Sequence, residues 1–224
     1  MDYSLFKNLD VSKVIKPEIG YEFYTPIDLS ASNTHLINEK LDASEDYENY
    51  IQKILDESKA KIAYGGYLET RNLYKRSTVF NNQKENERNI HIGLDLWINE
   101  EASIHAILDG KIHSFQNNTA LGDYGPTIIL EHNINEFTFY SLYGHLNEAC
   151  LKLIKVGDKV KKGQQIANLG LPPINGDYAP HLHFQLIIDI EGKKGDYPGV
   201  CSQDNLDFYT ENCPNPNLLL KIIP

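Results

Sequence analysis

The sequence predicts a mainly β protein: a β-rich α+β chain with an antiparallel sheet core and a helical extension at its N-terminus. Between about residues 90 and 190, short runs rich in Val, Ile, Phe and Tyr are separated by Gly, Asn, Asp and Pro, as in antiparallel sheets. Before them, apolar residues recur at helical spacing. The length of 224 residues fits one domain with an attachment.

The N-terminal extension comprises residues 1–62 and is predicted to be mostly helical. The helical spacing runs from about Asn33 to Ala60, which fits two helices or one interrupted helix, and Ser44 or Asp46 would cap the second stretch. The position of the extension stays open, because it could cover a groove in the main domain or pack behind it.

The main domain is assigned to residues 63–224. Its core spans about residues 88–190, and Asp109-Gly110 is interpreted as a hairpin turn between two strand-like runs. The tail at residues 191–224 holds many Pro, Asn and Gly residues and is predicted to be an ordered segment that lies over the domain.

The charge balance argues against several classes of function. The chain has 21 basic and 31 acidic side chains and a formal net charge of −10, so neither nucleic acid nor an anionic membrane surface is expected as a partner. No run approaches the ~18 apolar residues of a membrane span. No secretory signal is visible, so a cytoplasmic location is expected, with the cell envelope or secretion as the alternative.

The three cysteines give little functional information. Cys150, Cys201 and Cys213 are odd in number and show no C-x-x-C spacing. Reduced thiols are the preferred interpretation, and a Cys201–Cys213 disulfide is the alternative.

A histidine and an aspartate share one face of a predicted strand near residue 93. Strand alternation puts His91, Gly93 and Asp95 on one face, with Ile92 and Leu94 on the other. The glycine leaves no side chain between the two polar groups, so nothing there would crowd a bound ion.

A second strand, PHLHFQ at residues 180–185, carries two more histidines. Its alternation turns Leu182 and Phe184 inward and puts His181 and His183 on the opposite face. The two histidines can converge on one point, either as two metal ligands or as one ligand and one acid/base. A further histidine, His145, ends the strand-like run FTFYSLYGHL.

These segments together predict a metal site, and zinc is the favoured ion. Two imidazoles and one carboxylate suit a borderline cation and leave one position open for water, whereas calcium and magnesium prefer oxygen ligands. Iron in a His–His–carboxylate site is the competing metal. Four isolated histidines receive no role in the site: His35, His105, His113 and His132.

The order of three motifs resembles the lysostaphin/LytM-type zinc metallopeptidases. H-x-G-x-D-L at residues 91–96, Y-G-H-L at 143–146 and P-H-L-H-F at 180–184 follow one another on predicted strands. Residues 156–167 look like the glycine-punctuated hairpin of that family. The resemblance covers about residues 88–190.

The resemblance implies an antiparallel β-sheet groove with one zinc ion at its floor. By motif match, His91, Asp95 and His183 would be the metal ligands, and His145 and His181 the catalytic histidines beside the metal-bound water. The expected reaction is hydrolysis of a peptide bond in a peptidoglycan stem or cross-link, or in a related short peptide. The oligomeric state is not predicted.

Residues 63–224 also resemble a domain that stands beside aminotransferase-like and kinase-like domains in bacterial multidomain proteins. That resemblance suits a cytosolic zinc amide hydrolase with a substrate outside the cell wall. A non-catalytic binding or regulatory module is the third alternative, although all five metal-site positions are filled, which favours an enzyme. The matching stretches are YGGYLETR (64–71), GDYGP (122–126), GDYPGV (195–200) and CPNPN (213–217).

Many relatives carry one more ligand upstream of the first histidine of the motif. Asn81, Asn82 and Asn86 lie in a suitable region of this chain, but no motif selects one of them.

Overall fold

The computed structural model describes residues 3–36, 39, 41, 43–72 and 87–223. In this part of the chain, one eight-stranded sheet and two small two-stranded sheets are accompanied by four α-helices. The mainly β fold predicted from the sequence is confirmed.

The elements are numbered in chain order. The strands are β1 (Tyr24–Pro26), β2 (Ile62–Gly65), β3 (Ile90–His91), β4 (Leu94–Trp97), β5 (Ser103–His105), β6 (Gly110–Asn118), β7 (Gly125–Ile134), β8 (Phe137–Gly144), β9 (Lys159–Val160), β10 (Gln165–Asn168), β11 (His181–Ile187) and β12 (Val200–Cys201). The helices are α1 (Ser4–Asn8), α2 (Ser44–Ser58), α3 (Leu206–Asn212) and α4 (Asn217–Leu220).

The large sheet determines which segments meet at the site. Its strand order is β1-β2-β4-β11-β8-β7-β6-β9, and its strands pair antiparallel except for the parallel pair β1 and β2. In the middle, β11 pairs His183 with Asp95 of β4 on one side and with Gly144 of β8 on the other. The three motifs therefore lie side by side, although 92 residues separate the first histidine from the last of these contacts.

The run HIGLDL, predicted as one strand, is divided between two sheets. β3 pairs with β12, whereas β4 lies between β2 and β11 in the large sheet, with Ile92 and Gly93 between them. The division arises because the tail competes for this backbone: the Ile92 N–H donates to the Gly199 carbonyl at 2.9 Å.

The predicted hairpins are wrong. β5, before Asp109-Gly110, pairs with β10, whereas β6 after it pairs with β7 and β9. In residues 156–167, β9 and β10 likewise pair with other strands rather than with each other. Local turn chemistry was outweighed by burial of apolar residues from distant strands, as in the packing of Ile104 beside Ile166 in the main core.

The N-terminal extension packs beside β4 and adds a strand to the sheet. Within the described part of the segment predicted as two helices, one helix forms, α2, and the Asp46 carboxylate accepts the Ala43 N–H at 2.8 Å where it begins. Ile51 and Leu55 of α2 pack in one apolar cluster with Trp97 of β4. The extension therefore lies next to the predicted site.

The tail at residues 191–224 contains β12, α3 and α4 and packs on the opposite face of the sheet. Tyr197, Cys201 and Cys213 are buried there with Ile92. Cys201 and Cys213 are both free thiols, so the disulfide considered for them does not form. Across the described residues, no helix combines the length and the apolar character that crossing a membrane requires.

Candidate metal centre

His91, Asp95 and His183 converge on one point at the centre of the sheet. Nε2 of His91 lies 2.9 Å from Nδ1 of His183. Oδ1 of Asp95 lies 3.3 Å from the first of these nitrogens and 3.1 Å from the second. All three side chains are buried, and a search of the described residues identifies them as a group able to hold a metal ion.

Hydrogen bonds on the far sides of the two imidazoles fix their tautomers. Nδ1 of His91 donates to the Gly66 carbonyl, and Nε2 of His183 donates to Oε1 of Gln185, each at 2.9 Å. Gln185 is itself oriented, because its Nε2 donates to the Pro198 carbonyl at 3.1 Å. The nitrogens that face each other therefore both carry lone pairs.

Three electron-pair donors consequently meet with no proton among them to share. Such a group is satisfied by a cation, and two imidazoles with one carboxylate form a zinc-type donor set. Bonds of about 2.0–2.1 Å in a tetrahedral zinc site keep neighbouring ligand atoms about 3.3 Å apart, which is close to the separations of 2.9, 3.1 and 3.3 Å in this chain. The residues present fit the metal that the sequence predicted.

The charge state of the group also suits a cation. Burial lowers the pKa of His91 to about 4, although Asp95 opposes the shift, so the imidazole is neutral near pH 7. Burial alone would raise the pKa of Asp95, but His91 and the Arg71 guanidinium hold it well below its ordinary value. The centre thus presents one negative charge and two neutral imidazoles.

His145 and His181 stand beside this group, and each offers one nitrogen. Nδ1 of His145 donates to the Asn175 carbonyl and Nδ1 of His181 to the Ala179 carbonyl, both at 2.7 Å, so each Nε2 carries a lone pair. The two ring centroids are 4.2 Å apart, and Nε2 of His181 lies 3.8 Å from Oδ1 of Asp95. Burial lowers the pKa of both imidazoles, which keeps them neutral near pH 7.

Two glycines make room for the ligands. A Cβ on Gly93 would lie 2.4 Å from Cε1 of His183, far inside contact distance. A Cβ on Gly66 would lie 2.9 Å from Nδ1 of His91, and the φ of +101° at this position also favours glycine. The glycine between His91 and Asp95 is thus needed for the approach of a third residue.

Aromatic side chains surround the five polar groups. Trp97 stacks on His181 with ring centroids 5.7 Å apart, and Tyr178 contacts His145 edge-on at 5.2 Å. The Tyr124 hydroxyl lies 3.4 Å from Nε2 of His183. These rings restrict access to the centre from three sides.

The centre opens into a cleft with a cavity of about 150 Å³. Leu29, Tyr47 and Ile51 of the N-terminal extension line this cleft together with Trp97. Of the two positions that the sequence left open for the extension, it occupies a third: it forms one wall of the cleft.

Sequence reasoning did not assign several groups that hold the centre. Gln185 lies on the predicted polar face of β11, which was a usable signal, but Gly66 and Arg71 gave no signal beyond their place in the YGGYLETR stretch. Asn81, Asn82 and Asn86, considered as a further ligand, lie outside the described residues.

Residues 89–196 match the family model described as Peptidase family M23. The chain carries an M23 peptidase domain. The matched range agrees with the 88–190 predicted from the lysostaphin/LytM resemblance, which is therefore confirmed. The M23 domain includes every candidate ligand and both candidate catalytic histidines, whereas Gly66, Arg71 and the cleft wall from the extension precede it.

Several solved structures of M23-type proteins are similar to this chain. The catalytic domain of the antimicrobial peptidase lysostaphin from Staphylococcus simulans is 29% identical, with 55% of this chain and 80% of that chain covered and a TM-score of 0.37. The prophage-encoded M23 protein EnpA from Enterococcus faecalis is 23% identical, covering 49% and 79%, with a TM-score of 0.36. Csd3 from Helicobacter pylori is 26% identical, covering 56% and 32%, with a TM-score of 0.32. No curated protein matches the chain.

Proposed function

We propose that this M23 domain is a zinc-dependent metallopeptidase, in which His91, Asp95 and His183 bind one zinc ion. The observation that carries the proposal is the convergence of three electron-pair donors within 3.3 Å, with both imidazoles held in the ligating tautomer. His145 and His181 are the proposed catalytic residues.

A bound zinc ion polarises a carbonyl group and lowers the pKa of water from about 15.7 to roughly 7. The chain supplies the proton transfers. Nε2 of His181 or of His145 accepts a proton, because Nδ1–H of each ring is held by a backbone carbonyl and both rings are neutral near pH 7. The second histidine of the pair then stabilises the developing oxyanion or protonates the leaving amine.

The proposed substrate is a peptide bond in a peptidoglycan stem or cross-link, or in a related short peptide. Membership of the M23 family supports a peptide substrate, and the cleft offers aromatic walls on which a peptide can lie. The matching resemblance to a domain of multidomain proteins supports a second candidate, an amide substrate outside the cell wall, and with it a cytoplasmic location.

The test uses the full chain in three states: zinc-loaded, chelated, and reloaded after chelation. Each is incubated with purified peptidoglycan and, separately, with a library of soluble peptides, and new amino termini are quantified. We expect release that follows the zinc content. Release from the library alone would transfer the assignment to the non-cell-wall substrate. A chain with one zinc per molecule that releases no amino termini from either would contradict the enzyme and favour a binding module.

A further inference from the structure

The turn at residues 64–71 lies directly behind the metal centre, outside the M23 match. Its backbone pairs with the strand that carries His91: the His91 N–H donates to the Glu69 carbonyl at 2.9 Å, and the Arg71 N–H to the Asn89 carbonyl at 2.9 Å. The turn is thus fixed to β3 before any side chain is considered.

The Arg71 side chain reaches Asp95 from this turn. Nη1 of Arg71 donates to Oδ2 of Asp95 at 2.6 Å, while Oδ1 of the same carboxylate faces His91 and His183. Both side chains are buried, at 3% and 1% exposure, so the ion pair is shielded from water. The two oxygens of Asp95 therefore have separate partners.

Further contacts hold the guanidinium in place. Nε of Arg71 donates to Oε2 of Glu69, and Oε1 of Glu69 accepts the N–H of Leu29, in the N-terminal extension, at 3.0 Å. The guanidinium carbon also lies 5.5 Å from the centre of the Trp97 ring. A Cβ on Gly66 would lie 2.0 Å from Nη2 of Arg71, so a glycine is needed where the arginine passes.

We propose that Arg71, oriented by Glu69, is a positioning residue that restricts Asp95 to ligation through one oxygen. Carboxylates bind metals through one or both oxygens, and a catalytic zinc site needs a position free for water or substrate. With Oδ2 engaged by Arg71, only Oδ1 remains for the ion. The inference rests on the proposed metal site and adds a device that keeps its open position open.

The test replaces zinc with cobalt(II), whose visible absorption weakens when four-coordination becomes five-coordination. Arg71→Lys retains the charge but loses the planar fork that contacts Asp95 and Glu69 together. We expect weaker visible absorption per bound cobalt and a 10- to 100-fold loss of zinc affinity, a range typical when a group that orients a ligand is removed. Arg88→Lys is the matched control, because Arg88 lies in the same cleft but its Nε donates to the Val200 carbonyl; its spectrum should equal that of the wild type.

A second variant covers the case in which Arg71→Lys fails to fold. The pair Arg71→Met with Glu69→Gln removes both buried charges together and should show the same spectral change. Wild-type absorption in whichever variant folds would overturn the inference while leaving the metal centre standing. A wild-type chain that binds neither cobalt nor zinc would instead overturn the proposed function, and the inference with it.

Discussion

Oε1 of Gln185 accepts the Nε2–H of His183 at 2.9 Å, two residues away on the same face of β11. This bond turns Nδ1 of His183 toward Asp95 and leaves its lone pair for a cation. The polar face that strand alternation predicts thus contains one candidate catalytic histidine, one candidate ligand and the acceptor that orients the ligand.

Gln185→Met should weaken zinc binding 10- to 100-fold, because the volume is kept but the acceptor that orients His183 is lost. Gln185→Glu retains an acceptor at the same distance and should bind zinc more tightly than the Met variant. Competition with a chromophoric chelator measures both. Equal affinities for wild type and Gln185→Met would show that the hydrogen bond does not orient the ligand.

His183→Ala and His181→Ala should have opposite effects on metal and turnover. His183→Ala should abolish stoichiometric zinc binding, since it removes one of three donors, whereas His181→Ala should retain zinc and lose turnover, by roughly 10²–10⁴-fold for a general acid or base. Metal analysis beside the peptide-release assay measures the two quantities. If His181→Ala lost the metal and His183→Ala kept it, the roles assigned to the two residues would be reversed.

Gly93→Ala should disrupt zinc binding without changing any proposed ligand. The added Cβ would lie 2.4 Å from Cε1 of His183 and 2.5 Å from its Nε2, so the imidazole must move away from its position. Gly157→Ala is a control, because a Cβ there meets nothing within 4 Å, although its positive φ will cost some stability. Zinc titration of both variants checks this, and unchanged affinity in Gly93→Ala would contradict the tight packing around His183.

Tyr47→Ala should raise the KM for peptide substrates roughly five- to tenfold, equivalent to about 1–1.4 kcal/mol of binding, and leave zinc content unchanged. The reason is that Tyr47 lines the cleft from α2 without touching the proposed ligands. Tyr50→Ala, also half-buried on α2 but outside the cleft lining, is the matched control. A KM that rises equally in both variants would indicate a general loss of helix packing instead.

His132 should make the folded state less stable in acid. Its Nδ1 donates to the Asp109 carbonyl at 2.9 Å, its Nε2 accepts the Ser141 hydroxyl at 2.7 Å, and burial lowers its pKa from 6.5 to about 4. Between these values the unfolded chain binds a proton that the folded chain does not, so the contribution is present above pH 6.5 and lost as the pH falls toward 4.

The corresponding loss between pH 7 and pH 5 is about 2 kcal/mol in the free energy of unfolding. It is measured as the difference between wild type and His132→Gln in urea denaturation with chelator present, which cancels the contributions of other groups. A difference independent of pH would show that His132 is protonated in the folded chain.

The sequence by itself determined the features that depend on local periodicity. Leu182 and Phe184 are buried in the main core, and His181 and His183 lie on the other face with Gln185, because side chains on a strand alternate with a period of two whatever lies beside it. The order of the three motifs was sufficient for the M23 resemblance for the same reason, since each motif is contained within a few consecutive residues.

The tertiary structure decided which strands pair and what stands behind the ligands. Asp109-Gly110 lies between two strands, yet β5 pairs with β10, because burying apolar surface against distant strands outweighs the preference of a turn. The contact of Arg71 with Asp95 joins positions 24 residues apart, and the cleft wall joins the extension to β4. Such contacts depend on the register of β4 and β11 in the sheet, which no short stretch of sequence contains.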